Sequence, residues 1–102
     1  MPALTNKGTG YAVSATTAAN NINTGTNLAS WQFTNASGNV AVVNVYASNV
    51  SVTTTTGIAV PNGATQIVAG DFGTGWQGNV WISTILAAGS GTVYAVPVLE
   101  RS

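Results

Sequence analysis

No stretch of this chain repeats its apolar residues at the 3.6-residue spacing of an amphipathic helix. Short runs of β-branched and aromatic residues recur instead at intervals of about ten residues, each closed by Gly, Asn, Pro or Ser. Residues 28–34 alternate, with Ala29, Trp31 and Phe33 on one face and Ser30, Gln32 and Thr34 on the other. Residues 40–46, 50–55, 66–69, 80–86 and 92–99 read as further strands. The segments between them carry turn chemistry. Asn35-Ala36-Ser37-Gly38-Asn39 supplies residues that tolerate positive φ. Pro61-Asn62-Gly63 sets Pro at the first central position of a turn, followed by Asn-Gly for left-handed conformations. Four glycines within residues 70–78 mark a loop, and Ala87-Ala88-Gly89-Ser90-Gly91 joins the last two runs. The pattern predicts an all-β fold, a small antiparallel β-sandwich or jelly-roll-like barrel of six or seven short strands.

A chain of 102 residues supports one hydrophobic core. The core-forming pattern begins at Leu28, so residues 28–102 are expected to form the β-sandwich domain. In residues 1–27 the only apolar side chains larger than Ala are Met1, Leu4, Tyr11, Val13 and Ile22. So little apolar surface cannot offset the entropy of ordering, and an extended N-terminal arm is expected there, ordered only against a partner. Residues 11–16 are compatible with a short strand.

Charge removes whole classes of function. Lys7, Asp71, Glu100 and Arg101 are the only charged residues, 4% of the chain against about 25% in an ordinary soluble domain. There is no basic patch for nucleic acid. Apolar runs stop far short of the roughly 20 residues that span a bilayer, and the first residues lack the apolar run of a signal peptide. Without Cys or His there is no disulfide framework, no usual zinc site and no imidazole catalysis. A Ser or Thr nucleophile would need a base, and Lys7 is the one candidate. Asp71 and Glu100 do not make the carboxylate pair of a glycosidase. Asp71 with loop carbonyls would be a poor calcium site, and it reads better as an acceptor for the amides of its own loop. Gly73-Thr74-Gly75-Trp76-Gln77-Gly78 matches the dinucleotide fingerprint in letters, but a strand follows it where a helix is required. No enzymatic activity, catalytic residue, cofactor or metal is expected.

Three runs are apolar on both faces. Val40, Val42 and Tyr46 back onto Ala41, Val43 and Val45; Val80, Ile82 and Leu86 onto Trp81 and Ile85; Tyr94, Val96 and Val98 onto Val93, Ala95 and Leu99. Only one face of each can point into the core. The other is covered by twist, loops or the arm, or else it meets another subunit. The charge count favours the subunit: four charges over about 5,300 Å² leave one per about 1,300 Å², a surface that promotes association. Tyr11, Val42, Tyr46 and Trp76 are the candidate interface residues. Trp31 and Trp81 read as core, whereas Trp76 in its glycine-rich loop is placed to stack on a sugar. A carbohydrate-binding or adhesin-type module is therefore the alternative from another class. Thr53-Thr54-Thr55-Thr56 lacks the fixed repeat of an ice-binding array.

The arm of small residues, the turn-rich stretches Asn35-Ala36-Ser37-Gly38-Asn39-Val40 and Val60-Pro61-Asn62-Gly63-Ala64-Thr65, and the terminal run Gly91-Thr92-Val93-Tyr94-Ala95-Val96-Pro97-Val98 together resemble small accessory proteins of tailed-phage virions, particularly capsid decoration (cement) proteins. The resemblance implies a β-rich clamp on the outer capsid surface, often a trimer, whose partners are the major capsid protein or other virion subunits. A tail or fibre-base position is the neighbouring alternative. No site residues carry over from it.

Overall fold

The computed structural model describes residues 3–6, 8–70 and 78–101, with side chains over residues 6, 8–70 and 78–98. Its strands are β1 (Ala3–Asn6), β2 (Tyr11–Ala15), β3 (Asn20–Asn23), β4 (Ser30–Asn35), β5 (Ala41–Tyr46), β6 (Ile58–Val60), β7 (Thr65–Ala69), β8 (Trp81–Leu86) and β9 (Gly91–Arg101). In one sheet β9 carries β1 and β2 on one side and β4, then β7, on the other; the second sheet runs β3-β8-β5-β6. Every pairing is antiparallel.

The pairings are nested. β5 pairs β6, β4 pairs β7, β3 pairs β8 and β2 pairs β9. The chain is one long antiparallel ribbon, rolled so that β9 also meets β4 and β8 also meets β5. That is the jelly-roll form of the sandwich. Its accessible surface is 5335 Å².

The core lies between the sheets. Val13, Trp31, Phe33, Val93 and Ala95 face Val43, Val45, Ile82 and Leu86 across it. Alternation fixes which side each residue takes. Tyr11 packs against this core at its margin, with its ring centroid 6.0 Å from that of Trp31. The polar atoms of these aromatics are satisfied: Tyr11 Oη donates to the Thr24 carbonyl at 3.2 Å, and Trp31 Nε1 to the Leu28 carbonyl at 2.7 Å.

Residues 11–23 are not an arm. They supply β2 and β3, Val13 and Ala15 are buried, and Ile22 packs on the core. Apolar content alone understates what a segment gains when a ladder waits on each side. β2 needs only Tyr11, Val13 and Ala15 on one face, because β9 supplies its backbone partners. The polar β3 sits at a sheet edge, where its Asn side chains find local acceptors.

Two further expectations change. Residues 50–55 form no strand; they belong to the long β5–β6 connection, with a turn over residues 54–56. In the β6–β7 turn the Ala64 amide donates to the Pro61 carbonyl at 3.0 Å, so Asn62 and Gly63 are the central residues and Pro61 precedes them. Gly63 alone carries positive φ, +81°, as a type II turn requires.

Candidate interaction surface

Each sheet has an outer face, and the two differ. On the β3-β8-β5-β6 sheet the outward residues include Val42, Asn44 and Tyr46 of β5 and Trp81, Ser83 and Ile85 of β8. Residues 47–57 fold back over this face. Val52 is 1% exposed although it lies in a connection, and Val42 beneath it is only 4% exposed. A Cβ built on Gly57 would stand 2.5 Å from Val52 Cγ2, 2.6 Å from Val42 Cγ1 and 2.8 Å from the Val43 carbonyl oxygen. Glycine is what lets the returning chain lie this close to the sheet.

Hydrogen bonds fasten the loop. Ser83 Oγ donates to Asn21 Oδ1 at 2.6 Å and accepts the Val52 amide at 2.9 Å. Asn21 Nδ2 donates to Asn49 Oδ1 at 2.8 Å and Ser51 Oγ at 3.0 Å. Val42 and Val52 thus form a satellite apolar cluster outside the main core, a usual arrangement under a long loop.

Among the described residues no connection like 47–57 folds back over the outer face of the other sheet. Register sets Ala12, Tyr94, Thr34 and Thr65 in one row across β2, β9, β4 and β7. Val96, Gln32 and Ile67 form the adjacent row. Tyr94 is 49% exposed at its centre. Thr34 and Thr65 share a hydroxyl contact of 3.1 Å. No residue of either row is charged, and neither is any other described side chain.

The sequence-derived interface residues therefore separate. Val42 is buried under the molecule's own loop. Tyr11 lies at the core margin, bonded to Thr24. Tyr46 is half-buried on the loop-bearing sheet, and Trp76 lies outside the described residues. Trp81, expected in the core, points outward beside Tyr46 in register and is half-buried. Within the expected docking arm, β2 and β3 are edge strands of the sandwich itself. The sequence marked the face around Tyr94 as needing cover, but neither Tyr94 nor Val96 was among the candidate interface residues. Its signal was the apolar second face of residues 92–99, which is where Tyr94 and Val96 stand.

Among the described residues no group of three or more His, Cys, Asp or Glu side chains is placed to hold a metal ion. No described helix is long and apolar enough to cross a membrane. Two Asn-X-Ser triplets match the acceptor pattern for N-glycosylation: Asn35-Ala36-Ser37 has its Asn fully buried, while Asn49-Val50-Ser51 is exposed. Comparison with known family models, curated proteins and solved structures finds no match.

Proposed function

We propose that this chain is a non-enzymatic structural subunit of a virus-like assembly, in the manner of a capsid decoration protein that binds and stabilises an outer shell. The outer face around Tyr94 carries this reading. Its rows around Tyr94 are backed by the core and, among the described side chains, hold no charge, so burying them against a neighbour strands no ion. Jelly rolls serve viral capsid and lectin domains alike, so the fold by itself does not choose between them. The sparsely charged surface does favour one. Repetition on a shell turns a small contact into firm attachment through effective concentration, with no pocket required.

The test is density-gradient sedimentation of material from the native source, tracking the chain by mass spectrometry. Co-migration at high copy number with a particle of megadalton size is the expected result. Recovery only in light fractions overturns the proposal. A saturable change in tryptophan fluorescence on glycan titration would then support the carbohydrate-binding alternative.

A further inference from the structure

We infer that β7 is a homotypic docking edge: two copies of the chain pair antiparallel through Thr65–Ala69 about a twofold axis, joining their open sheets into one. The inference concerns the isolated chain and holds whether or not the larger assembly is a virion.

Pairing with β4 decides which backbone groups β7 leaves free. The Asn35 amide donates to the Ala64 carbonyl at 3.0 Å, and the Gly70 amide donates to the Ala29 carbonyl at 2.9 Å. These bonds flank β7 on the β4 side. In an antiparallel ladder the amide and carbonyl of one residue point the same way, and successive residues alternate. Gln66 and Val68 therefore face β4, while Thr65, Ile67 and Ala69 aim their amides and carbonyls at the free edge. Among the described residues no strand pairs with that edge. The Ile67 carbonyl receives only a long 3.4 Å bond from Gln66 Nε2.

The edges of β6 and β2 are blunted. β6 has three residues and stops at Pro61. On β2, the Ser14 carbonyl is capped by Asn20 Nδ2 of β3 at 3.0 Å, and Tyr11 Oη bonds the Thr24 carbonyl, which ties the two edges of that side together. Between β1 and β2 the edge is broken, since β1 pairs β9 from Val98 onward and β2 from Ala95 backward. The Ala36 amide bonds the Thr92 carbonyl, so by the same alternation Pro97 faces that break, where its missing N–H leaves no orphan. β7 has none of these devices. Thr-Gln-Ile-Val-Ala holds no charge, no Pro and no bulge, and its register with β4 runs unbroken from Ser30↔Ala69 to Thr34↔Thr65.

A strand edge of this kind accepts only another strand, and a second β7 fits it. Centred on Ile67, antiparallel pairing sets Ile67 against its copy and Thr65 against Ala69, with two backbone bonds at each of the three pairs. A twofold contact of this type is closed and self-complementary. With no charge on either strand there is no like-charge repulsion to oppose it. Ile67, half-buried in the single chain, becomes the centre of an apolar cross-strand pair on the joined outer face.

Sedimentation equilibrium of the whole chain over a wide concentration range tests this. The expected mass rises from 10.2 kDa towards twice that value. Ile67→Lys, which sets two ammonium groups face to face at the axis, should raise the dimer dissociation constant by about tenfold or more. Val50→Lys, at an exposed position in the loop over the other sheet, should leave it unchanged. Thr65→Lys is the substitute if circular dichroism shows Ile67→Lys unfolded. A single species of 10.2 kDa at every concentration overturns the inference, as does dimerisation that both edge variants leave intact.

Discussion

Removing the Asn35 carboxamide should be among the most damaging single changes outside the apolar core. The side chain is 0% exposed at the end of β4, and all four of its hydrogen-bonding positions are used. Nδ2 donates to the Asn39 carbonyl at 2.7 Å and to the Val60 carbonyl at 2.8 Å. Oδ1 accepts the Ser37 amide at 3.0 Å and Ser37 Oγ at 2.7 Å. One amide thereby clamps the β4–β5 loop to the end of β6. At about 1 kcal/mol net for each bond, less what water recovers at the half-buried loop, Asn35→Ala should cost about 3 kcal/mol. In a domain of this size that lowers Tm by roughly 15 °C. Asn35→Asp separates hydrogen bonding from packing, since it keeps the shape. It retains the acceptor for Ser37 but points a carboxylate oxygen at two carbonyls, so near neutral pH it should be no more stable than Asn35→Ala. Burial among carbonyls raises the folded-state carboxyl above its ordinary value of about 3.9, because the neutral acid is the form the site tolerates. A raised folded value means that this variant's deficit relative to wild type is smallest below that ordinary value. It then grows as pH rises through the folded value. Urea denaturation from acid to neutral pH, with wild type as reference, reads this directly. A loss under about 1 kcal/mol in Asn35→Ala, or Asn35→Asp matching wild type at pH 7, would refute the clamp.

Three further substitutions probe other parts of the fold. Thr84 Oγ1 is buried in the core without a hydrogen-bond partner, so Thr84→Val should stabilise by about 1 kcal/mol in urea melts. Gly91→Ala places a methyl 2.5 Å from Ser37 Cα and 2.6 Å from the Ser37 carbonyl oxygen, so a backbone must shift, at about 2 kcal/mol, measured the same way. Ser83→Ala leaves the Val52 amide and Asn21 Oδ1 unpaired. Residues 47–57 should then exchange amide hydrogen and be cleaved by protease well before the sandwich unfolds.

Strands rich in their own apolar alternation were legible from sequence, and so was the all-β class. Trp31 and Phe33 against Gln32 and Thr34 fixed the inner face of β4 before any partner was known. β2 was legible only as a short strand compatible with residues 11–16, and β3 was not legible, because what holds them is the ladder to β9 and β8, which leaves little mark in local hydrophobicity. Val50 and Val52 imitated a strand by alternating; only Val52 is buried, and it is buried outside the core. A usable signal did exist in Ser83, a small polar residue within Trp81-Ile82-Ser83-Thr84-Ile85-Leu86. A hydroxyl at that position needs a partner, and the loop amide of Val52 supplies it. For the site, counting apolar residues on second faces identified that cover was needed. It could not tell cover by the same chain, over Val42, from a face left exposed at Tyr94.

A chain this poor in charge has to control its edges without ions. Soluble β proteins commonly set Lys on an edge, so that pairing with a stranger strands an ammonium group. Here the work falls to carboxamides and hydroxyls, which have short reach and need a specific acceptor. Asn20 can cap the Ser14 carbonyl only because β2 and β3 meet at one side of the sandwich. Asn21 can reach Asn49 and Ser51 only because Gly57 lets the loop lie flat. On β7 the neighbouring side chain, Gln66, reaches the free carbonyl of Ile67 only at 3.4 Å, beyond the usual range of a good hydrogen bond. Protection by local hydrogen bonding is therefore strong where two elements converge and weakest along an isolated straight strand. Among the described residues β7 is the edge that this chemistry is least able to close, and it borders the sheet on which Tyr94 is exposed.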